Sequence, residues 1–248
     1  MDPTRRTAFF VPLMCSLAAV PALLSSTACA ATEGSGKIAT ETRTVPEFEA
    51  VSTSGAIDLQ VSQGAQQSLQ VQADDNLLPL LETVVESHNG VPTLSVRWKR
   101  GERIRNRSKV ALTIVVPRLS ALSASGSGDM RIASFTTPAL QVTLSGSGDA
   151  RLQNLSTDDL GVRVSGSSDV SGSGKAGKLK VSISGSGDVR LTDLRADDVQ
   201  VHIAGSGDAT VFADKTLDVR IAGSGDVTYT GNAVLKRSVA GSGSVTRK

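Results

Sequence analysis

A tetrapeptide, Gly-Ser-Gly-Asp, recurs through the C-terminal half of this 248-residue chain. It stands at residues 126–129, 146–149, 185–188, 205–208 and 223–226, with altered copies at 166–169 (GSSD) and 241–244 (GSGS). The first glycines are separated by 20, 20, 19, 20, 18 and 18 residues. A fixed step of this length marks a solenoid, because one short coil cannot bury its own apolar face and must stack on its neighbours.

The residues around the motif say how each coil is built. With the first Gly as position zero, positions −4 and −2 are apolar, as in Val142 and Leu144, Val181 and Ile183, or Val219 and Ile221. Positions +4 and +6 are apolar in most coils, as in Met130 and Ile132 or Val189 and Leu191. These offsets share one parity, so in extended chain their side chains point to one face. Two short strands meeting at a glycine turn therefore line an interior. A further apolar residue near +9 (Phe135, Leu155, Leu194) predicts a third, shorter side. Ser54-Gly55-Ala56-Ile57-Asp58 reads as a worn copy of the motif, followed by the alternating strands around Leu59, Val61, Leu69 and Val71. Residues 74–85 read as a short helical turn leading into a strand, and residues 94–96 and 111–116 as strands flanking a charged loop. The fold expected is all-β: a single right-handed parallel β-helix over residues 43–248, with coils of about 18–20 residues.

The first thirty residues carry an export pattern. Arg5 and Arg6 precede an apolar stretch from Ala8 to Leu24, and Ala28-Cys29-Ala30 supplies small residues at a cleavage site. Residues 1–30 are read as a signal peptide and 31–42, rich in small and polar residues, as a flexible leader. Ser26-Thr27-Ala28-Cys29 also resembles a bacterial lipobox, which makes Cys29 a candidate for lipidation. Cleavage after Ala30 to a soluble form and anchoring at Cys29 both remain open; membrane association is expected only in the second. Both cysteines, Cys15 and Cys29, lie in this region, so the remainder is expected to hold no disulfide. Expected locations are the periplasm, the outer-membrane surface or the extracellular space.

The formal net charge is +2, and without Asp2, Arg5 and Arg6 it falls by one to +1. A near-neutral chain with few aromatics gives no reason to expect nucleic acid as a partner.

Three groups of residues are candidates for chemistry. The outward column Asp129, Asp149, Asp169, Asp188, Asp208 and Asp226 suggests calcium. A calcium β-roll, however, repeats about every nine residues, half the step found here. The alternative is that each Asp caps turn N–H groups beside outward Arg131, Arg151 and Arg190. That is the reading adopted, and no metal or other cofactor is expected. The second group is residues 97–109 (RWKRGERIRNRSK), where Arg97, Lys99, Arg100, Arg103, Arg105, Arg107 and Lys109 surround Trp98. Such a cluster can attract acidic polysaccharides or envelope polymers, with Trp98 as a stacking surface; the alternative is a solvated loop. The third is catalysis. His88 stands beside Asn89-Gly90, in a turn, and His202 occupies an outward strand position. No triad, cysteine nucleophile or metal-spaced histidine cluster can be assembled, so no enzyme is expected.

The entry RTVPEFEAV (43–51), the segment VQADDNLL (71–78) and the serial Ser-Gly-Ser-Gly-Asp turns together resemble a bacterial exported family, the putative autotransporter adhesin "head GIN" domain. The resemblance implies a right-handed parallel β-helix shaped like a pectin lyase without its catalytic residues, and a role in adhesion. The expected function is thus a non-enzymatic envelope or secreted protein that binds a polymer or a protein partner. A ligand-free periplasmic scaffold and a carbohydrate-active enzyme are the alternatives.

Overall fold

The computed structural model describes residues 31–248. The expected signal peptide over residues 1–30, with Cys29, lies outside the described residues. Nine strands precede the regular repeats: β1 (Thr32–Glu33), β2 (Ile38–Thr42), β3 (Ala50–Ser54), β4 (Ile57–Gln63), β5 (Ser68–Asp74), β6 (Leu81–His88), β7 (Val91–Trp98), β8 (Ile104–Arg105) and β9 (Val110–Val116). A single 3-10 turn at Leu78–Leu80 leads into β6, as residues 74–85 suggest. The repeats supply β10 (Ala121–Gly126), β11 (Met130–Ala133), β12 (Thr136–Gly146), β13 (Ala150–Gly166), β14 (Val170–Gly185), β15 (Val189–Gly205) and β16 (Ala209–Gly223). The last coils add β17 (Val227–Thr230), β18 (Val234–Gly241) and β19 (Val245–Arg247).

Successive coils pair in parallel, forming the expected β-solenoid. The residues that end in the Gly-Ser turn make the first side: β7, β3, β10 and the later halves of β12 to β16 stack in register down to β18. The residues after Asp make the second side, from β9 and β4 through β11 to β19. The third side, near +9, is present and buries Phe135, Leu155 and Leu194. Residues at −4, −2, +4 and +6 fill one continuous interior, with Val142, Val181, Ile183 and Val201 all at 1% exposure or less. Variation in coil length is absorbed on the third side. Register slips there between β13, β14, β15 and β16, while the Gly-to-Asp turn and the strands flanking it stay aligned.

The turn needs glycine for two reasons. Gly146 has φ +142°, and a Cβ built on it would lie 2.1 Å from the Gly126 carbonyl oxygen of the coil before. Stacked turns thus approach backbone to backbone, with the Ser147 N–H donating to that same carbonyl at 3.0 Å.

The flexible leader expected over residues 31–42 is not found. β1 pairs with β8, and β2 lies antiparallel on β5, with Ala39 against the core. Antiparallel β5 and β6, on β9 and β7, complete this N-terminal part. Asn89 and Gly90, both with positive φ, turn β6 into β7, so His88 ends a strand beside a hairpin turn.

Candidate functional site

Each aspartate after a glycine turn bonds forward to the next coil. One carboxylate oxygen of Asp58 accepts the N–H of Asp129 at 3.0 Å, and the relay passes through Asp149, Asp169, Asp188, Asp208 and Asp226 to Ser244, at 2.7–3.3 Å. A column of like charges repels itself unless it is compensated. Here backbone dipoles do so along its length. The Arg190 guanidinium adds contacts of 3.0 Å to Asp169 and 2.8 Å to Asp188. Burial alone would raise the Asp169 carboxyl; the Asp188 N–H and Arg190 outweigh it and hold the group below its ordinary value. The column therefore splices turn to turn. Among the described residues no group of three or more His, Cys, Asp or Glu is arranged to hold a metal ion.

The basic segment is divided by its surroundings. Arg97 is engaged by Glu86 at 2.9 Å and Glu82 at 3.4 Å, across the β6–β7 pair. Trp98 continues the inward parity of Leu94 and Val96 and packs partly on the core beside Gly55, so it is not a free stacking surface. Arg107 reaches Glu33 at 3.2 Å, and Lys109 reaches Asp58 at 3.6 Å. Lys99, Arg100, Arg103 and Arg105 are exposed and take part in none of the ion pairs among the described residues.

A buried carboxylate anchors this segment. Asp74 is 0% exposed and accepts four bonds: from Ser108 Oγ at 2.7 Å and from the N–H groups of Arg107, Gly36 and Ser108 at 3.0, 3.1 and 3.2 Å. The Ser108 hydroxyl contributes most to holding its carboxyl below the ordinary value, against the opposing effect of burial. Sequence reading did not single out Asp74. The one local signal was Gly34 and Gly36, since a Cβ on Gly34 would sit 1.9 Å from the Asp74 carboxylate.

A hollow that the sequence did not reveal is an open trough on the first side, with a volume of about 750 Å³. It crosses successive coils from Gln141 to Lys236. Two outward columns wall it, set by strand register. One runs Asp159, Lys178, Asp198, Thr216 and Val234; the other runs Gln141, Gly161, Lys180, Gln200, Asp218 and Lys236. Gln141 folds over Gly161, where a Cβ would lie 2.2 Å from its Oε1. Beside the second wall stands a third outward column, Arg163, Ser182, His202 and Arg220, which lines a smaller hollow of about 340 Å³. His202 is thus an exposed residue of this face, as its strand offset indicates.

With this geometry in view, three comparisons place the chain. A family model described as "Putative auto-transporter adhesin, head GIN domain" matches residues 47–233. Among solved structures, a putative adhesin from Bacteroides fragilis is 27% identical with a TM-score of 0.82, covering 88% of this chain and 100% of that one. A putative lipid binding protein from Parabacteroides distasonis, 24% identical, aligns with a TM-score of 0.70 over 88% of this chain and 100% of its own. A putative adhesin from Parabacteroides merdae, 22% identical, has a TM-score of 0.63 over 88% and 98%. The last two speak to the fold alone. No curated protein matches the sequence.

Proposed function

The chain belongs to the head GIN domain family of putative auto-transporter adhesins, and on that premise we propose that it is a non-enzymatic, exported protein that holds a polymer of a cell envelope or surface against its outer columns. The supporting observation is the register of those columns. First-side and second-side residues stay aligned from coil to coil, so outward polar groups recur at a spacing of about 4.8 Å along the axis. A rigid, repeating surface of this kind suits many weak contacts with a chain that also repeats, and little ordering cost falls on the protein side. The family is described as adhesive. An exported or surface location fits that description and agrees with the signal-peptide reading of residues 1–30.

The test uses the compact unit, residues 31–248, passed over immobilised acidic and neutral polysaccharides and over whole bacterial envelopes. Saturable retention that weakens as salt rises is expected on at least one acidic polymer. Passage without retention on every surface would overturn the proposal.

A further inference from the structure

Resting on that polymer-binding reading, we propose that the first-side trough, with the smaller hollow that shares Lys180 and Gln200 with it, takes one linear acidic polysaccharide lengthwise, its acidic groups set against Lys180 of the trough and Arg163 of the adjoining hollow. The argument starts from which charges are compensated. Lys178 has Asp159 and Asp198 on either side in its column. Lys180 has only Gly161 and Gln200, and Ser182 has Arg163 before it and His202 after it. Lys180, Ser182, Arg163 and His202 thus meet with no carboxylate as a ladder neighbour. Arg220, next in the column, is shared with Asp218 at 3.6 Å, whereas Lys180 and Arg163 enter none of the ion pairs among the described residues. Arg163 and Lys180 are diagonal neighbours on adjacent coils, about 7–8 Å apart at the backbone, and a bound anion relieves their mutual repulsion.

The shape of the trough selects the occupant. It spans six coils, about 24 Å at the usual inter-strand spacing, which is long for a small molecule and suits an extended chain. It is open to solvent along its length, so a chain can lie in it without threading. The residues lining both hollows include no Phe, Tyr or Trp, the large rings on which single-stranded nucleic acids chiefly stack. They do include Gln200, Asp198, Thr216 and Asp218, whose donors and acceptors match sugar hydroxyls. Cationic groups beside a row of hydroxyl-binding side chains fit an acidic glycan.

The experiment measures binding of residues 31–248 to polygalacturonate, with neutral dextran and single-stranded DNA as comparison probes, by affinity electrophoresis and calorimetry. Two double variants are compared with the parent: Lys180→Glu of the trough with Arg163→Glu of the adjoining hollow, and Arg103→Glu with Arg105→Glu in the basic segment. The trough variant is expected to lose affinity by about tenfold or more at unchanged melting temperature, since both positions are exposed. The basic-segment variant is expected to bind as the parent does. Polyuronate binding lost only in the basic-segment variant would overturn the trough while leaving polymer binding intact. Equal binding of dextran or DNA would overturn the acidic-glycan assignment. Absence of binding to polygalacturonate would overturn the acidic-glycan assignment, whereas only passage without retention on every surface would also remove the polymer-binding reading.

Discussion

Asp74 carries a structural load that its place in the sequence does not advertise. It draws a glycine of the N-terminal segment and two residues of the basic loop onto one carboxylate, 33 to 38 residues away along the chain. The folded protein holds the ionised form better than the unfolded chain does, so the native state binds fewer protons between the two pKa values. Stability from this group is therefore fully present above the ordinary carboxylate range and is lost as pH falls through the lowered folded value. Asp74→Asn removes the charge and turns a donor toward donors. It is expected to lower the melting temperature at neutral pH by about 5–10 °C and to flatten the acid limb of a melting-temperature profile. An unchanged profile would show that the four bonds contribute no net stability. The outward aspartates were easier to anticipate. Reading them as caps came from the glycine turn before them, although the forward direction of each bond, into the next coil, depends on stacking.

At the scale of the element, the Gly-Ser-Gly-Asp turn fixes everything else in the coil. Strand parity on both sides of it decides which residues are inward, and it keeps register even where the third side gains or loses residues. The tightest point is the stacking of first glycines. Gly146→Ala places a side chain on backbone at φ +142° and drives it toward the Gly126 carbonyl. Conformational strain alone is expected to lower the melting temperature by about 3–10 °C, measured by calorimetry against Ala139→Gly as an exposed control. If Gly146→Ala melted with the parent, the close stacking of turns would not be limiting. The N-terminal strands behave differently. They lack the repeat, three of their pairings are antiparallel, and the partners of β2 and β5 lie at sequence distances that no local pattern encodes. That is why residues 31–42 read as a leader and fold as strands.

For the whole molecule, the two ends of the solenoid pose the problem of unpaired backbone. At the N-terminal end antiparallel β2 and β6 lie over the regular coils. At the other end β18 and β19 each have one partner strand. Their inward positions hold Arg237 and Arg247, opposite Val219 and Tyr229 of the coil before, while Val239 remains 39% exposed. Charge on the inward parity makes an extra coil or a second copy unfavourable there. Replacing both, Arg237→Val with Arg247→Val, extends the apolar columns to the open edge. Sedimentation velocity is expected to show concentration-dependent association of this variant and none of the parent over the same range. Equal sedimentation of the two would mean that these arginines do not guard the end.

The repeat by itself determined the solenoid, its inward columns and the need for glycine at the turn, because period and parity are properties of a short stretch of backbone. It also placed His202 on an outward face. Only the tertiary structure decided which charges remain free. Arg97, Arg107 and Lys109 form one basic run in the sequence, yet Glu86, Glu33 and Asp58 compensate them. The uncompensated cations Arg163 and Lys180 come from separate coils, each unremarkable alone. Charge compensation depends on distances of a few ångströms between residues tens of positions apart, and those distances exist only once the coils have stacked.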